Sequence, residues 1–113
     1  MKNQQDFLDF QKYFTEYQKK FGLIGYKVYF KYEPLDCFAN ITTNDMVATV
    51  GLNSRLLAKD KPFLNVKQSA KHEALHLLLG KLEDLAYARF INKDQIYEAV
   101  EEIVFKLEEL VGD

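Results

Sequence analysis

The chain has 113 residues, of which 48% are hydrophobic and 28% charged, and its formal net charge is −2. These values are typical of a globular protein, and the length allows one domain, residues 1–113, with a modest core. No basic cluster predicts a nucleic-acid partner, no apolar run approaches the length of a membrane span, and no apolar segment follows residues 1–6 to form a signal peptide.

The first predicted element is an amphipathic helix over residues 4–20. Aromatic side chains recur in it at spacings of three and four, and this pattern predicts a face that packs in the core. Gly22 and Gly25 are expected to end the helix. The aromatic positions are Phe7, Phe10, Phe14, Tyr17 and Phe21.

From Tyr26 the apolar period changes to two, which predicts strands over residues 26–33, 37–43 and 46–52. Short strands joined by tight turns predict an antiparallel three-stranded meander. Cys37 has apolar rather than basic neighbours and is predicted to be a small buried residue. As the only cysteine it cannot form an intrachain disulfide, and we therefore expect a cytoplasmic protein.

Two capping signatures predict the later helices. Asn65 followed by Gln68 starts a helix at Val66, and Gly80 is expected to stop it, before a short helix within 82–90. Asn92 followed by Gln95 opens a last helix over residues 93–111. Its predicted core-facing stripe is Ile96, Val100, Ile103, Val104, Leu107, Leu110 and Val111. The order of elements predicts an α+β fold.

The helix that begins at Val66 carries His72-Glu73-x-x-His76. Residues four apart share one helix face, so the two imidazoles can hold a single cation, and Glu73 lies beside them. These are the only histidines of the chain, so a third protein ligand must be a carboxylate or Cys37. The donor set predicts Zn²⁺ with an open position for water. The alternative is a structural role, in which both histidines lie in the core and their ring nitrogens form hydrogen bonds.

Helix phase separates the candidates for the third ligand. At 100° per residue, Glu101 lies about 120° from the centre of the predicted apolar stripe, on the flank expected to face the metal motif. Glu101 is therefore predicted to be the third metal ligand, with Glu98 and Glu102 as alternatives. Glu108 and Glu109 are expected on a solvated face.

Two histidines and a carboxylate that bind zinc, with Glu73 beside them, predict peptide hydrolysis. Bound zinc lowers the pKa of a water molecule, and Glu73 takes the proton as general base and passes it to the leaving amine. Tyr87, Arg89 and Tyr97 are the candidate donors to the oxyanion, and the sequence does not choose among them. The predicted partner is a peptide or protein substrate. A domain this small forms no second lobe, so narrow activity is expected.

The order of helix, meander, His-Glu-x-x-His helix and Glu-bearing helix resembles a minimal gluzincin. The chain is also similar to small metallopeptidase-like proteins of phage and prophage genomes. The resemblance covers most of residues 23–110, through 26–30, 48–53, 72–79, 88–90 and 98–108. Tyr26 departs from it, since a tryptophan is expected there.

The resemblance implies a zincin-like fold and a zinc ion held by His72, His76 and a glutamate of the last helix, with Glu73 catalytic. It further implies that strand 46–52 is the edge above the site cleft, where an extended peptide could pair. The alternative function is a non-catalytic interaction or regulatory module built on the same fold.

Overall fold

The computed structural model describes residues 2–57, 59–60, 64–88 and 90–110. The fold over these ranges is α+β, as the sequence predicts. The elements are α1 Lys2–Lys20, β1 Lys27–Glu33, β2 Ala39–Asn44, β3 Val47–Asn53, α2 Val66–Tyr87 and α3 Lys93–Leu110. Within the described ranges, no helix combines the length and apolar character needed to cross a membrane.

Helix α1 ends where the sequence predicts. Gly22 has a φ of 71°, its N–H donates to the Lys19 carbonyl, and the Leu23 N–H donates to the Gln18 carbonyl. This pair of bonds satisfies the last carbonyls of the helix, and glycine adopts the left-handed conformation without a Cβ clash.

The sheet is mixed, so the predicted antiparallel meander is wrong for one of its two pairings. The strand order is β1-β3-β2, with β1 parallel and β2 antiparallel to β3. Five of the seven residues of β3 are buried, which suits the central position, where both strand edges are paired. The prediction that strand 46–52 is the edge above the cleft is therefore also wrong, because β2 is an edge strand and β3 is not.

The predicted aromatic stripe of α1 lies in the core. Phe10 and Phe14 are fully buried, and both rings meet Phe30 of β1 edge-on, with centroids 6.4 and 5.6 Å apart. The same core takes the inward side chains of β3 and one face of α2. These contributions are Ala48, Val50, Leu52, Ala70, Ala74, Leu77 and Leu78. One side of α2 is thus fixed against the core.

Helix α2 begins as predicted but continues past its predicted end. The Asn65 side chain accepts a hydrogen bond from the Gln68 N–H at 3.0 Å. Gly80 does not stop the helix, which runs to Tyr87 and includes most of the predicted short helix. One interior glycine costs about 1 kcal/mol relative to alanine, and the good helix formers that follow offset it.

Helix α3 begins at its predicted capping box. Asn92 and Gln95 each accept a bond from the other's backbone N–H, at 2.8 and 2.9 Å. The predicted core face is only partly right: Ala99 is the only buried residue that the structure describes in this helix, and of the predicted stripe Ile103 is half-buried and Leu110 packs against the core. Ile96, Val100, Val104 and Leu107 are each about 40% exposed. Residue 111, predicted as part of this stripe, is outside the described residues.

Candidate metal centre

His72 and His76 lie one turn apart on α2, on a face turned away from the core. Both side chains are exposed, and their Nε2 atoms are 3.2 Å apart. Their direction follows from the helix period, since Ala74 and Leu78 of the same helix point into the core. The alternative prediction, that both histidines are buried in the core, is therefore wrong.

Glu73 lies between the core and the histidines. It is only 4% exposed, and its Oε2 atom is buried without a hydrogen-bond partner among the described residues. Burial raises the pKa of its carboxyl group, and the two neighbouring histidines partly oppose that rise. A buried carboxylate oxygen without a partner is costly, so this group is poised to accept a proton or a hydrogen bond from a ligand.

The three side chains lie close enough together to hold a metal ion. One ligand atom from each of His72, Glu73 and His76 lies within 4.8 Å of the others. Two atoms bound to one zinc ion at about 2.0–2.1 Å and at the tetrahedral angle are about 3.3–3.4 Å apart. The observed separation of 3.2 Å between the imidazole nitrogens is close to this value. It also permits a hydrogen bond between the two neutral rings, so the separation alone does not distinguish a metal site from a paired one.

A groove between α2 and β2 runs past these residues. We call it the α2–β2 groove; its volume is about 580 Å³. It is lined by residues 39–43 of β2 and by His72, Glu73, His76, Gly80, Glu83 and Asp84 of α2. A second cavity of about 400 Å³ adjoins His72 and Glu73, and its wall includes Cys37, Phe38 and Ser69.

The third predicted ligand is not brought to this cluster. Glu98 and Glu102 of α3 bind the ammonium group of Lys81, at 3.4 and 2.7 Å. Lys81 is nine residues beyond His72, which places it about 180° around the helix. Helix α3 therefore meets α2 on the side opposite the imidazoles. Glu101 lies outside the cluster of three, and its role as a ligand stays a prediction.

Neither of the two described candidate oxyanion donors lines the α2–β2 groove. Tyr87 is 83% exposed and Tyr97 is 65% exposed, and Arg89 is outside the described residues. Cys37, predicted to be buried, is exposed, and its thiol donates to the Ala39 carbonyl at 3.1 Å. It is exposed because the bends at residues 36–38 carry it over the cavity instead of into β2.

Two groove residues, Glu83 and Asp84, and one residue that supports the neighbouring segment, Asn53, were not predicted from the sequence. The Asn53 side chain holds the segment after β1: its amide donates to the Leu35 carbonyl at 2.9 Å, and its oxygen accepts from the N–H groups of Leu35 and Arg55. Glu83 and Asp84 were missed because the helix was expected to stop at Gly80. Their spacing from His76, seven and eight residues, is the signal that could have found them.

Comparison of the chain with protein-family models, with curated proteins and with solved structures finds no match. The cluster of His72, Glu73 and His76 and the α2–β2 groove are therefore the features that indicate a function.

Proposed function

We propose that the protein is a zinc-dependent metallopeptidase with a zincin-like site. The observation that carries the proposal is the pairing of two exposed imidazoles, 3.2 Å apart, with the buried and unpartnered carboxylate of Glu73. Hydrolysis by a metal-bound water needs a base beside the metal, and the carboxyl group of Glu73 lies beside the two imidazoles. The resemblance to gluzincins and to metallopeptidase-like proteins of phage and prophage genomes belongs to this proposal.

In the proposed reaction, His72 and His76 would hold the metal, since their Nε2 atoms lie 3.2 Å apart. Zinc bound there supplies Lewis acidity and lowers the pKa of a water molecule. Glu73 takes the proton of the attacking water and then returns it to the nitrogen of the leaving amine. The raised pKa of its carboxyl group suits both steps, because a very strong acid would not hold the proton in between.

The substrate is proposed to bind as an extended peptide along β2. One edge of this strand pairs with β3, and no described strand pairs with the other edge. Residues 39–43 line the groove together with the histidines, so a peptide that hydrogen-bonds to the free edge would pass the metal cluster. This places strand addition on β2 rather than on the strand expected from the sequence.

The test compares wild-type protein with Glu73→Gln. Elemental analysis after zinc addition and removal of free metal is expected to give one zinc per chain in both proteins. Peptide cleavage, measured on a proteome-derived peptide mixture by mass spectrometry, is expected to fall about 10²–10⁴-fold in Glu73→Gln, the usual contribution of a general base.

Glu109→Gln is the matched control, since it removes the same charge from the exposed end of α3. Its cleavage is expected to equal that of the wild type. Absence of bound zinc would contradict the metal site. Stoichiometric zinc without Glu73-dependent cleavage would contradict the peptidase and favour the second candidate below.

The second candidate is a non-catalytic module that binds a protein partner. The exposed apolar side chains of α3 favour it: Val100 and Val104 are 38% exposed, Phe105 is 61% exposed and Leu107 is 41% exposed. Such side chains on one helix are a frequent feature of interaction surfaces. Replacing Val104 and Phe105 with serine should then abolish partner binding in a pull-down experiment while leaving zinc content unchanged.

A further inference from the structure

We infer that the α2–β2 groove selects a peptide with a basic side chain on the N-terminal side of the bond to be cut, and that Glu83 and Asp84 bind that side chain. This inference rests on the proposed peptidase function and names the substrate class of the same site. It concerns the end of the groove that lies beyond the histidines.

The acidic pair shares the groove face with the metal cluster. Glu83 lies within about 20° of both His72 and His76 around the axis of α2, so it shares their face. Asp84 lies about 80° from His76, at the border of that face, and both carboxylates line the groove. From His76 to Asp84 the helix rises about 12 Å. An extended peptide covers that distance in about three to four residues. A lysine or arginine at such a position can reach the carboxylates while the scissile bond lies at the histidines.

Gly80 lies along α2 between the histidines and the acidic pair, and it leaves open space there. A Cβ atom added there would meet no heavy atom within 4 Å, apart from the neighbouring helix backbone. Packing therefore does not require glycine at this position, and glycine lowers the stability of a helix interior relative to alanine. The space it leaves lies between the imidazoles and the acidic pair, where the substrate chain would pass.

The two negative charges of Glu83 and Asp84 repel each other at the C-terminal end of α2, and a bound cation would reduce this repulsion. Glu83 and Asp84 are exposed, and neither forms a salt bridge with a described residue. They lie near the C-terminal end of α2, whose last turn holds no basic residue. The partial negative charge of a helix C-terminus repels carboxylates. A basic side chain bound here would offset both sources of negative charge.

Glu73, which lies in the same groove wall, indicates that a ligand binds in the groove. It lines the same groove as the acidic pair, is 4% exposed, and leaves Oε2 without a hydrogen-bond partner in the described part of the chain. Buried polar atoms are nearly always paired in folded proteins. An unpaired one at the groove wall therefore indicates that a bound molecule completes its hydrogen bonding.

The direction of the peptide follows from the strand. The N-terminal end of β2 adjoins the start of α2, since Ala39 shares a cavity with Ser69, and β2 shares the groove with Asp84 farther along α2. A peptide added antiparallel to β2, the slightly more stable pairing, runs from the Asp84 end toward the Ser69 end. Residues N-terminal to the scissile bond therefore lie against the acidic pair.

The experiment measures binding of three fluorescein-labelled decapeptides to zinc-treated Glu73→Gln protein by fluorescence anisotropy. The peptides share neutral residues and carry lysine at position 2, lysine at position 9, or glutamine at both. The position-2 lysine peptide should bind about 3- to 10-fold more tightly than the glutamine peptide, as two exposed ion pairs allow. The difference should shrink in 0.5 M salt.

The double variant Glu83→Gln with Asp84→Asn should bind the position-2 lysine peptide no more tightly than the glutamine peptide. The matched control, Glu108→Gln with Glu109→Gln, removes the same two charges from α3 and should still prefer the position-2 lysine peptide. Equal binding of all three peptides, tighter binding of the position-9 peptide, or absence of binding would overturn the inference. Failure of the proposed function shows separately, as loss of any Glu73-dependent cleavage by the wild type.

Discussion

Helices α2 and α3 have similar lengths, 22 and 18 residues, but they bury very different parts of themselves. Helix α2 buries six residues, including the carboxylate of Glu73. In α3 the described structure buries Ala99 alone, although α3 has the more regular apolar stripe. Apolar periodicity therefore indicates that a segment is helical, but it does not decide which face of the helix other elements cover.

The neighbours of each helix explain the difference. Helix α2 lies between α1 and β2 and is enclosed on two sides. Helix α3 packs mainly against α2, and two exposed polar contacts add to this packing: the Lys81–Glu102 ion pair at 2.7 Å and the bond from the Lys106 ammonium group to the Gly22 carbonyl at 3.1 Å. Such exposed pairs contribute little, so we expect α3 to be the less stable helix.

The largest expected effect compares a leucine from each helix. Leu77 of α2 is 1% exposed, whereas Leu107 of α3 is 41% exposed. Leu77→Ala should lower the free energy of unfolding by about 2–5 kcal/mol, because it leaves a cavity in the core. Leu107→Ala should change it by about 0.5 kcal/mol. Urea denaturation followed by circular dichroism measures both, and equal losses would contradict the contrast between the helices.

Zinc affinity is the second test. His76→Ala should weaken zinc binding at least about 100-fold, since even residues that only orient a ligand contribute 10- to 100-fold. Glu101→Gln in α3 tests the predicted third ligand by the same zinc titration, with Glu109→Gln as the exposed control. Unchanged affinity in Glu101→Gln would remove Glu101 from the metal site and leave the two ligands on α2.

Glu73→Gln provides a smaller effect, on stability and its pH dependence. Burial raises the pKa of the Glu73 carboxyl above its usual 4.5, so ionised Glu73 destabilises the folded state. In metal-free protein at pH 8, the free energy of unfolding of Glu73→Gln should be about 1 kcal/mol larger than that of the wild type. The difference should vanish below the usual pKa, where Glu73 is protonated in both states. Thermal melts from pH 4 to pH 8 in EDTA measure it, and a constant difference would refute the burial argument.

Gly80→Ala is expected to have the smallest effect, a gain of about 0.5–1 kcal/mol in stability. The added methyl group meets no heavy atom within 4 Å, and alanine favours the helix interior. Thermal denaturation of the metal-free protein checks the gain. A loss would mean that the space beside Gly80 is not open, and that the groove is narrower than described.

The positions of the elements were largely predictable because they depend on local signals. The capping residues Asn65 and Asn92 set helix starts, and the period-two pattern located all three strands within two residues of their observed starts. The pairing of the strands was not predictable in the same way. It depends on which strand buries both faces, and the bends after β1 allow β2 to pair with the far edge of β3.

The candidate site was predictable in part for the same reason. His72, Glu73 and His76 lie within one turn and a half of a helix, so helix geometry alone places their side chains together. Glu101 belongs to another helix, and its approach depends on how α3 packs. The predicted stripe was centred on Val100 and Leu107, which are exposed, whereas Ala99 is buried, so the helix phase assigned to Glu101 was measured from the wrong centre.

The four-residue spacing of the histidines determines how zinc couples to folding. A metal held by His72 and His76 alone crosslinks one helical turn and closes almost no loop, so it restricts the unfolded chain very little. A metal that also bound α3 would close a long loop and tie two helices together. The rise in melting temperature on adding zinc therefore distinguishes the two arrangements: it is small for a local crosslink and large for one that spans the fold.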